Sequence, residues 1–278
     1  MTLTLAATPL GNLGDASPRL KEAIVAADVI AAEDSRRFHR LAADLGVTFT
    51  ARIISFFDGN ETVRSEEVLA LLHAGKNVLV VSDAGMPMIS DPGFRLTRDA
   101  IAQKIEVVVI PGPSAPTTAL ALSGLATDRF TFEGFLPRAS GARLAHLEML
   151  RFEERTMIFF EAPHRIVESI RDAHEIFGPD RQGAICREMT KTYEETVRGT
   201  LDELLIWTQS KEILGEITVV IAGVAVGSAT KTAAEMVQRV REFESVGMDR
   251  KDAIATVAKE FDLPKKVVYA AVVDASKS

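Results

Sequence analysis

"VVSDAGMPMISDPG" (residues 80–93) joins two textures that do not usually meet. The run Val78-Leu79-Val80-Val81 is uniformly apolar, as in a strand buried on both faces. It ends at Ser82-Asp83 and enters a segment holding Asp83, Asp91, Gly85, Gly93, Pro87 and Pro92, with Met86, Met88 and Ile89 between them. A hairpin needs only Asn-Gly or Asp-Gly to turn. In open α/β sheets, ligands sit beyond the carboxyl ends of the strands. A buried strand followed by so elaborate a turn therefore predicts such a sheet with a site at that end.

The same alternation runs outward in both directions. "LTLAATP" precedes "PRLKEAIVAAD", "VIAAED" precedes "RRFHRLAADLG", and "RIISF" precedes "ETVRSEEVLALLHAG". "NVLVVSD" precedes "GFRLTRDAIAQ", and "EVVVIPG" precedes "APTTALALSG". These strand-helix units predict an α/β fold with a largely parallel sheet. Near 111–118 the texture changes to "PGPSAPTT", a joint between lobes, and a second α/β set runs from "FTFEGF" to "EITVVIAG". "VAVGSATKTA" reads as a linker, and three helical segments follow it. The expected division is an N-terminal lobe over 1–113, a second lobe over 114–226 and a small all-helical domain over 231–278.

Composition narrows the function classes. The 278 residues are 47% hydrophobic and 26% charged, ordinary for a globular protein. One cysteine, Cys186, excludes an internal disulfide framework and suits a reducing compartment. No apolar run reaches the roughly 18 residues of a membrane span, and the N-terminus lacks the pattern of a signal peptide, so a soluble cytoplasmic protein without a membrane partner is expected. The net charge of −7 argues against a uniformly basic nucleic-acid surface, yet 228–278 carries nine Lys/Arg against eight Asp/Glu.

Three strand-end turns stand out: "TPLGNLGD" (8–15), "SDAGMPMISDPG" (82–93) and "PGPSAPT" (111–117). Together they predict a ligand cleft. "GNLGD" is not a dinucleotide fingerprint, and no phosphate-binding loop motif occurs. The histidines form no H-E-x-x-H pair, so no metal site is expected, and Cys186 sits in an apolar run that suits an inert thiol. In "AAEDSRRFHR", Arg36, Arg37 and Arg40 fall on the first turns of a helix, where they oppose its dipole. That placement favours contact with an anion.

Taken together, "TPLGNLGD", "AAEDSRR", "VSDAGMPMISDPG", "PGPSAPTTAL", "DRFTFEGFLPR", "FFEAPHR", "REMTKTYEE" and "GEITVVIAG" closely resemble the bacterial 16S ribosomal RNA (cytidine) 2′-O-methyltransferase family, within the tetrapyrrole-methylase superfamily. The resemblance runs from Leu3 to Gly223, and more loosely through the tail. It departs at Met86 and Met88, where the family often has Thr and Leu, which predicts an altered pocket lining.

The resemblance implies a two-lobed homodimer that folds S-adenosyl-L-methionine into the cleft between lobes and acts on 16S ribosomal RNA or the small ribosomal subunit. Carried over by motif, the cofactor contacts are Leu10, Asp83, Ala84, Gly85, Met86, Ser114, Ala115, Phe160, Glu161 and Thr218. A base able to take the ribose proton is sought first at Asp34 and Glu33, then at Lys191, Glu188 and Asp91. Arg36, Arg37 and Arg40 are expected to hold phosphate. Lys265, Lys266 and Tyr269, in a helix-turn-helix-like tail, are expected to meet RNA. The rival readings are a methylase of a corrin or porphyrin precursor and a noncatalytic RNA-binding module.

Overall fold

The computed structural model describes residues 1–224, 233–261 and 263–275. The expected linker "VAVGSATKTA" falls mostly on 225–232, outside the described residues. Two compact units are present: Met1–Arg151 with Thr156–Ala222, and Phe152–Arg155 with Gly223–Ser278.

The larger unit begins with β1 (Thr2–Ala6), α1 (Pro18–Ala26), β2 (Val29–Ala32), α2 (Ser35–Asp44) and β3 (Arg52–Ser55). It continues through α3 (Glu61–His73), β4 (Val78–Val81), α4 (Phe94–Ala102) and β5 (Glu106–Ile110). The five strands pair in the order β3-β2-β4-β1-β5, every pair parallel. Alternate residues face opposite sides of a strand, and both sides are covered here. Leu3, Leu5, Val78 and Val80 pack with Val68 and Leu72 of α3 and Leu96 of α4. Ala6, Leu79 and Val81 pack with Leu20 and Ile24 of α1 and Phe38 of α2. This two-sided burial is why β2 and β4 read as unbroken apolar runs. The helix starts are set locally: Ser17 accepts a hydrogen bond from Leu20 N, with Pro18 at the first helical position.

Register aligns the strand ends. Ala6 pairs with Ile110, Leu5 with Val80, and Ala32 with Val81. The segments that follow β1, β2, β4 and β5 therefore leave the sheet along one edge.

The chain then forms α5 (Ala115–Ser123), β6 (Phe130–Phe135), α6 (Ser140–Met149), β7 (Thr156–Glu161) and α7 (Ile166–Phe177). Next come β8 (Gln182–Arg187), β9 (Glu195–Thr200), α8 (Leu201–Ser210) and β10 (Ile217–Ile221). The second sheet has the order β6-β7-β10-β8-β9 and is mixed: only β6 and β7 pair parallel, and β10 runs antiparallel to both its neighbours. β8 and β9 are joined by 188–194, too short for a crossover helix, so they pair antiparallel. α5 packs on this sheet, with Ala119 and Leu120 against Ile158, Cys186 and Val220, so the chain passes from one sheet to the other at 111–114. On the opposite face α7 and α8 supply Ile166, Ile170, Leu201 and Leu204.

The smaller unit holds α9 (Ala233–Ser245), α10 (Arg250–Glu260) and α11 (Lys265–Ala275). They close around Val240, Ala253, Val257, Val268 and Val272.

Arg143 of α6 is 1% exposed, and its Nε donates to Asp172 of α7 at 2.6 Å. Breaking a buried pair leaves an uncompensated charge, which costs about 3–5 kcal/mol. Asp172→Ala is expected to lower unfolding free energy by about 3 kcal/mol in urea titrations, the low end because Glu168 lies 3.5 Å from the same guanidinium.

Candidate active site

The three strand-end turns meet at Gly85. Its N–H donates to Thr8 O at 3.1 Å and its carbonyl accepts from Thr8 N at 2.9 Å, an isolated antiparallel bridge between the turns after β1 and β4. The buried Thr8 hydroxyl donates to Ser82 O. Gly85 has φ +84°, and a Cβ there would stand 3.1 Å from Leu10 Cδ2 and 3.5 Å from the Pro113 carbonyl. Left-handed backbone and close approach both require glycine.

Around this contact lies a cavity of about 370 Å³. One wall comes from the first sheet: Leu10, Asp83, Ala84, Gly85 and Met86, with Ser114 and Ala115 at the start of α5. The other comes from the second sheet: Phe160, Glu161, Thr218, Met189 and Phe135. All ten residues carried over as cofactor contacts thus line one cavity. Ile89 and Met189, on opposite walls, share a device. Each sits between two non-glycine residues at positive φ, Met88 (73°) with Ser90 (62°) and Glu188 (50°) with Thr190 (65°). Such conformations concentrate at functional sites.

Of the two methionines that depart from the family pattern, only Met86 reaches the cavity. Met88 turns into the core of the first sheet, where its Sδ accepts from the Thr97 hydroxyl. The expected change in lining therefore applies to one residue.

Acids gather on the first-sheet wall. Glu33 accepts from Asp83 N at 3.1 Å, and burial holds its carboxyl above the usual range. Asp83 accepts from Asp34 N and pairs with Arg37 at 3.1 Å, and burial raises it as well. Asp91 is moved furthest. Burial first, then the Glu33 carboxylate, push its carboxyl up to about 7.

Several candidates lie elsewhere. Asp34 does not line the cavity: it caps α2, accepting from Arg36 N at 2.8 Å and from Arg37 N, and pairs with the Arg36 guanidinium at 3.0 Å. The hydrogen bond from Arg36 holds its carboxyl down, at about 2. The same contacts make Asp34 the cap of α2 and give Arg36 a structural partner. Arg37, paired with Asp83, belongs to the cavity wall, and Arg40 is exposed further along α2.

Lys191 and Glu188 are absent from the lining too. Lys191 Nζ donates to Glu188 and Glu216, each at 2.9 Å, and packs on Gly11. Burial opposes its charge, but the two carboxylates outweigh that and raise its pKa. Glu161 lines the cavity with its carboxylate already engaged by Ala162 N, Ser169 and Arg165. Cys186 is buried, and burial raises its thiol. In the helical unit, Lys265, Lys266 and Tyr269 are all exposed on α11.

Residues 2–205 match the profile described as Tetrapyrrole (Corrin/Porphyrin) Methylases. The chain belongs to the tetrapyrrole methylase family. A family member from Mycobacterium tuberculosis (strain ATCC 25618 / H37Rv), named Ribosomal RNA small subunit methyltransferase I, is 49% identical over 256 residues, covering 92% of this chain and 88% of its own. One of the same name from Thermotoga maritima is 44% identical over 221 residues, covering 80% of this chain and 98% of its own. Among solved tetrapyrrole methylases, the uroporphyrin-III C-methyl transferase of Thermus thermophilus, complexed with S-adenyl homocysteine, shares the fold at a TM-score of 0.56. It is 15% identical, and the match covers 81% of this chain and 98% of that one.

Sequence reasoning ranked Asp91 low and missed Phe135, Met189 and Glu216 as wall residues. Asp91 was visible only as the second aspartate of its turn; its neighbour Glu33 is remote in sequence.

The raised Asp91 has a consequence for stability. Between the ordinary aspartate value and about 7, the folded chain keeps a proton that the unfolded chain releases. The contribution is thus fully present below the ordinary aspartate value and is lost as pH rises toward 7. Comparing wild type with Asp91→Asn in urea unfolding from pH 4 to 8, the variant should gain relative stability with a slope of up to about 1.4 kcal/mol per pH unit, flattening above pH 7.

Proposed function

We propose that this chain is an S-adenosyl-L-methionine-dependent methyltransferase acting on the 2′-hydroxyl of a cytidine in 16S ribosomal RNA, working as a cytoplasmic homodimer. The observation that carries the reading is the convergence of all ten residues of the cofactor motifs on one cavity. The names of the two relatives support the substrate class.

The cavity suits the cofactor. Its volume is within the range of small-molecule sites, and its lining combines apolar side chains with a few polar groups. Leu10, Met86 and Phe160 supply apolar walls, and Met86 in particular a soft, polarisable one. The Ser114 hydroxyl makes no cap to its own helix, and it stands with the first N–H groups of α5, a setting that favours a carboxylate. Asp83 keeps acceptor positions beyond those used by Asp34 N and Arg37, enough to take an ammonium. When bound, S-adenosyl-L-methionine supplies an electrophilic methyl group on a sulfonium.

This chain's own residues align the hydroxyl and take its proton. A general base contributes about 10²–10⁴-fold and works best with a pKa near the working pH. Asp91, raised to about 7 and lining the cavity, meets that condition better than Asp34. Glu33 acts through Asp91 by raising it.

The helical unit has a secondary role in this reading. The family profile matches residues 2–205 and ends before α9, and the cavity residues all lie in the larger unit. The methyl-transfer site is therefore assigned to the larger unit alone, and Lys265, Lys266 and Tyr269 add affinity for RNA. The homodimer is supported by exposed Val63 on α3 and exposed Phe94 and Ile101 on α4, which offer a partner an apolar face.

Transfer of a tritiated methyl group into small ribosomal subunits, with uroporphyrinogen as the competing acceptor, tests the reading; label appearing only in the tetrapyrrole refutes it. Under single turnover at saturating cofactor, the rate should rise with pH up to about 7 and then level. Asp91→Asn should lower it by about 10²–10⁴-fold, and Asp34→Asn should stay near wild type, because Asn caps a helix nearly as well. A near wild-type rate for Asp91→Asn removes Asp91 from the reaction. Replacing Lys265 and Lys266 by Ala should raise the subunit KM and reduce its salt dependence by a log–log slope of about 0.7–0.9 per lost phosphate contact.

A further inference from the structure

We propose that Phe135 is the platform on which the target nucleobase stacks while its ribose is held in the cavity, an inference that rests on the reading of the site as an RNA ribose methyltransferase.

Phe135 ends β6, the edge strand of the second sheet, and lines the cavity although it is 55% exposed. Its direction comes from a defect. The pairing of β6 with β7 shifts register between Phe132 and Gly134, and Gly134 has φ +67°. In a regular strand, residues three apart face opposite sides. The bulge cancels that rule and puts Phe132 and Phe135 on the same neighbour: both rings meet Phe160 edge-on, at 4.9 and 5.5 Å between centroids. One phenyl ring is thereby carried out to the exposed side of the cavity, braced edge-on by Phe160.

The mount is rigid. Arg165 Nη2 donates to Leu136 O at 2.7 Å and to Pro137 O at 3.0 Å, and Arg143 Nη1 donates to Arg138 O at 3.3 Å. The side chains of Arg165 and Arg143 are only 11% and 2% exposed. Two buried guanidiniums thus fix the three carbonyls that directly follow Phe135. An exposed apolar ring needs no such support for solubility or for packing. A ring that must offer a flat surface without first being ordered does need it.

The position suits a nucleotide. A Cβ at Gly134 would stand 3.5 Å from Ser90 Oγ, so the platform adjoins the turn that carries Asp91. A base lying on Phe135 brings its attached ribose toward the Asp91 side of the cavity. Unstacked bases of single-stranded RNA loops and bulges are splayed out and stacked on aromatic side chains, and a base held this way fixes its ribose. A flat hydrocarbon ring gives this without reading base edges, so identity must be read elsewhere.

The test measures methyl transfer into small ribosomal subunits lacking the modification, alongside calorimetric binding of S-adenosyl-L-methionine, for wild type and for Phe135→Ala, Phe135→Leu and Phe135→Trp. Stacking strength per base predicts that Ala and Leu lose roughly 10- to 100-fold in kcat/KM for the subunit. Their cofactor affinity should stay within about twofold of wild type, and Trp should restore most of the loss. Leu keeps an apolar contact with Phe160 but not a plane, so full activity in Phe135→Leu overturns the proposal. A loss of cofactor affinity that matches the loss of activity also overturns it, because the ring would then belong to the cofactor. If wild type transfers no methyl group to ribosomal RNA, the parent reading fails, a result visible before any variant is made.

Discussion

Two hydrogen bonds between Thr8 and Gly85 hold the cleft together. They join the turns after β1 and β4 back to back, and the Pro113 carbonyl closes on the same glycine from the turn after β5. The approach works only because position 85 has no side chain and sits in the left-handed region. Leu10 and the Pro113–Ser114 turn are brought onto Gly85 by this meeting. The parallel register beneath it matters for the same reason. Strands that end level with one another deliver their turns to one place.

The cleft also carries features that work against stability. Glu33, Asp83 and Asp91 are packed close enough, and buried enough, to raise each carboxyl, with Arg37 as the cation on that wall. Two short loops place four non-glycine residues at positive φ. Strain of this kind persists only where surrounding structure over-determines it. The surroundings supply that restraint: Met88 is held in the core through Thr97, and the 188–191 loop is tied by Lys191 to Glu188 and Glu216 and by Thr190 to Asn12 N. The Lys191 tie and the Thr190 bond have complementary effects, one bracing the loop within the second sheet and the other joining it to the turn after β1.

Buried arginines organise the second sheet's share of the site. Arg165 pairs with Glu161 and also holds the carbonyls of Leu136 and Pro137, so the end of β7 and the end of β6 are set by one side chain. Arg143 links the same turn to Asp172 of α7. Charge is tolerated there because each guanidinium meets carboxylates and carbonyls in fixed positions.

The elements of the fold were legible in the sequence because burial on both faces writes an unbroken apolar run and a strand-end turn writes Gly and Pro. β2, β4 and the three turns are local in this sense, and so are the cofactor motifs that ride on them. The antiparallel pairing of β10 was not legible, since a five-residue apolar run carries no direction. The site chemistry divided along the same line. Asp34 lies two residues past β2 and Asp91 ten residues past β4, and neither position along the chain shows how its carboxyl is protonated. Tertiary structure gave one to a helix cap and an arginine, which lowers its pKa, and the other to burial beside Glu33, which raises it. Phe135 likewise read as an ordinary strand residue, and only a one-residue bulge against β7 turned it to the cavity. Sequence by itself determined which segments fold and where they turn, because those depend on near neighbours. The protonation and aim of each side chain depend on groups far away in the chain, and only the folded structure brought these together.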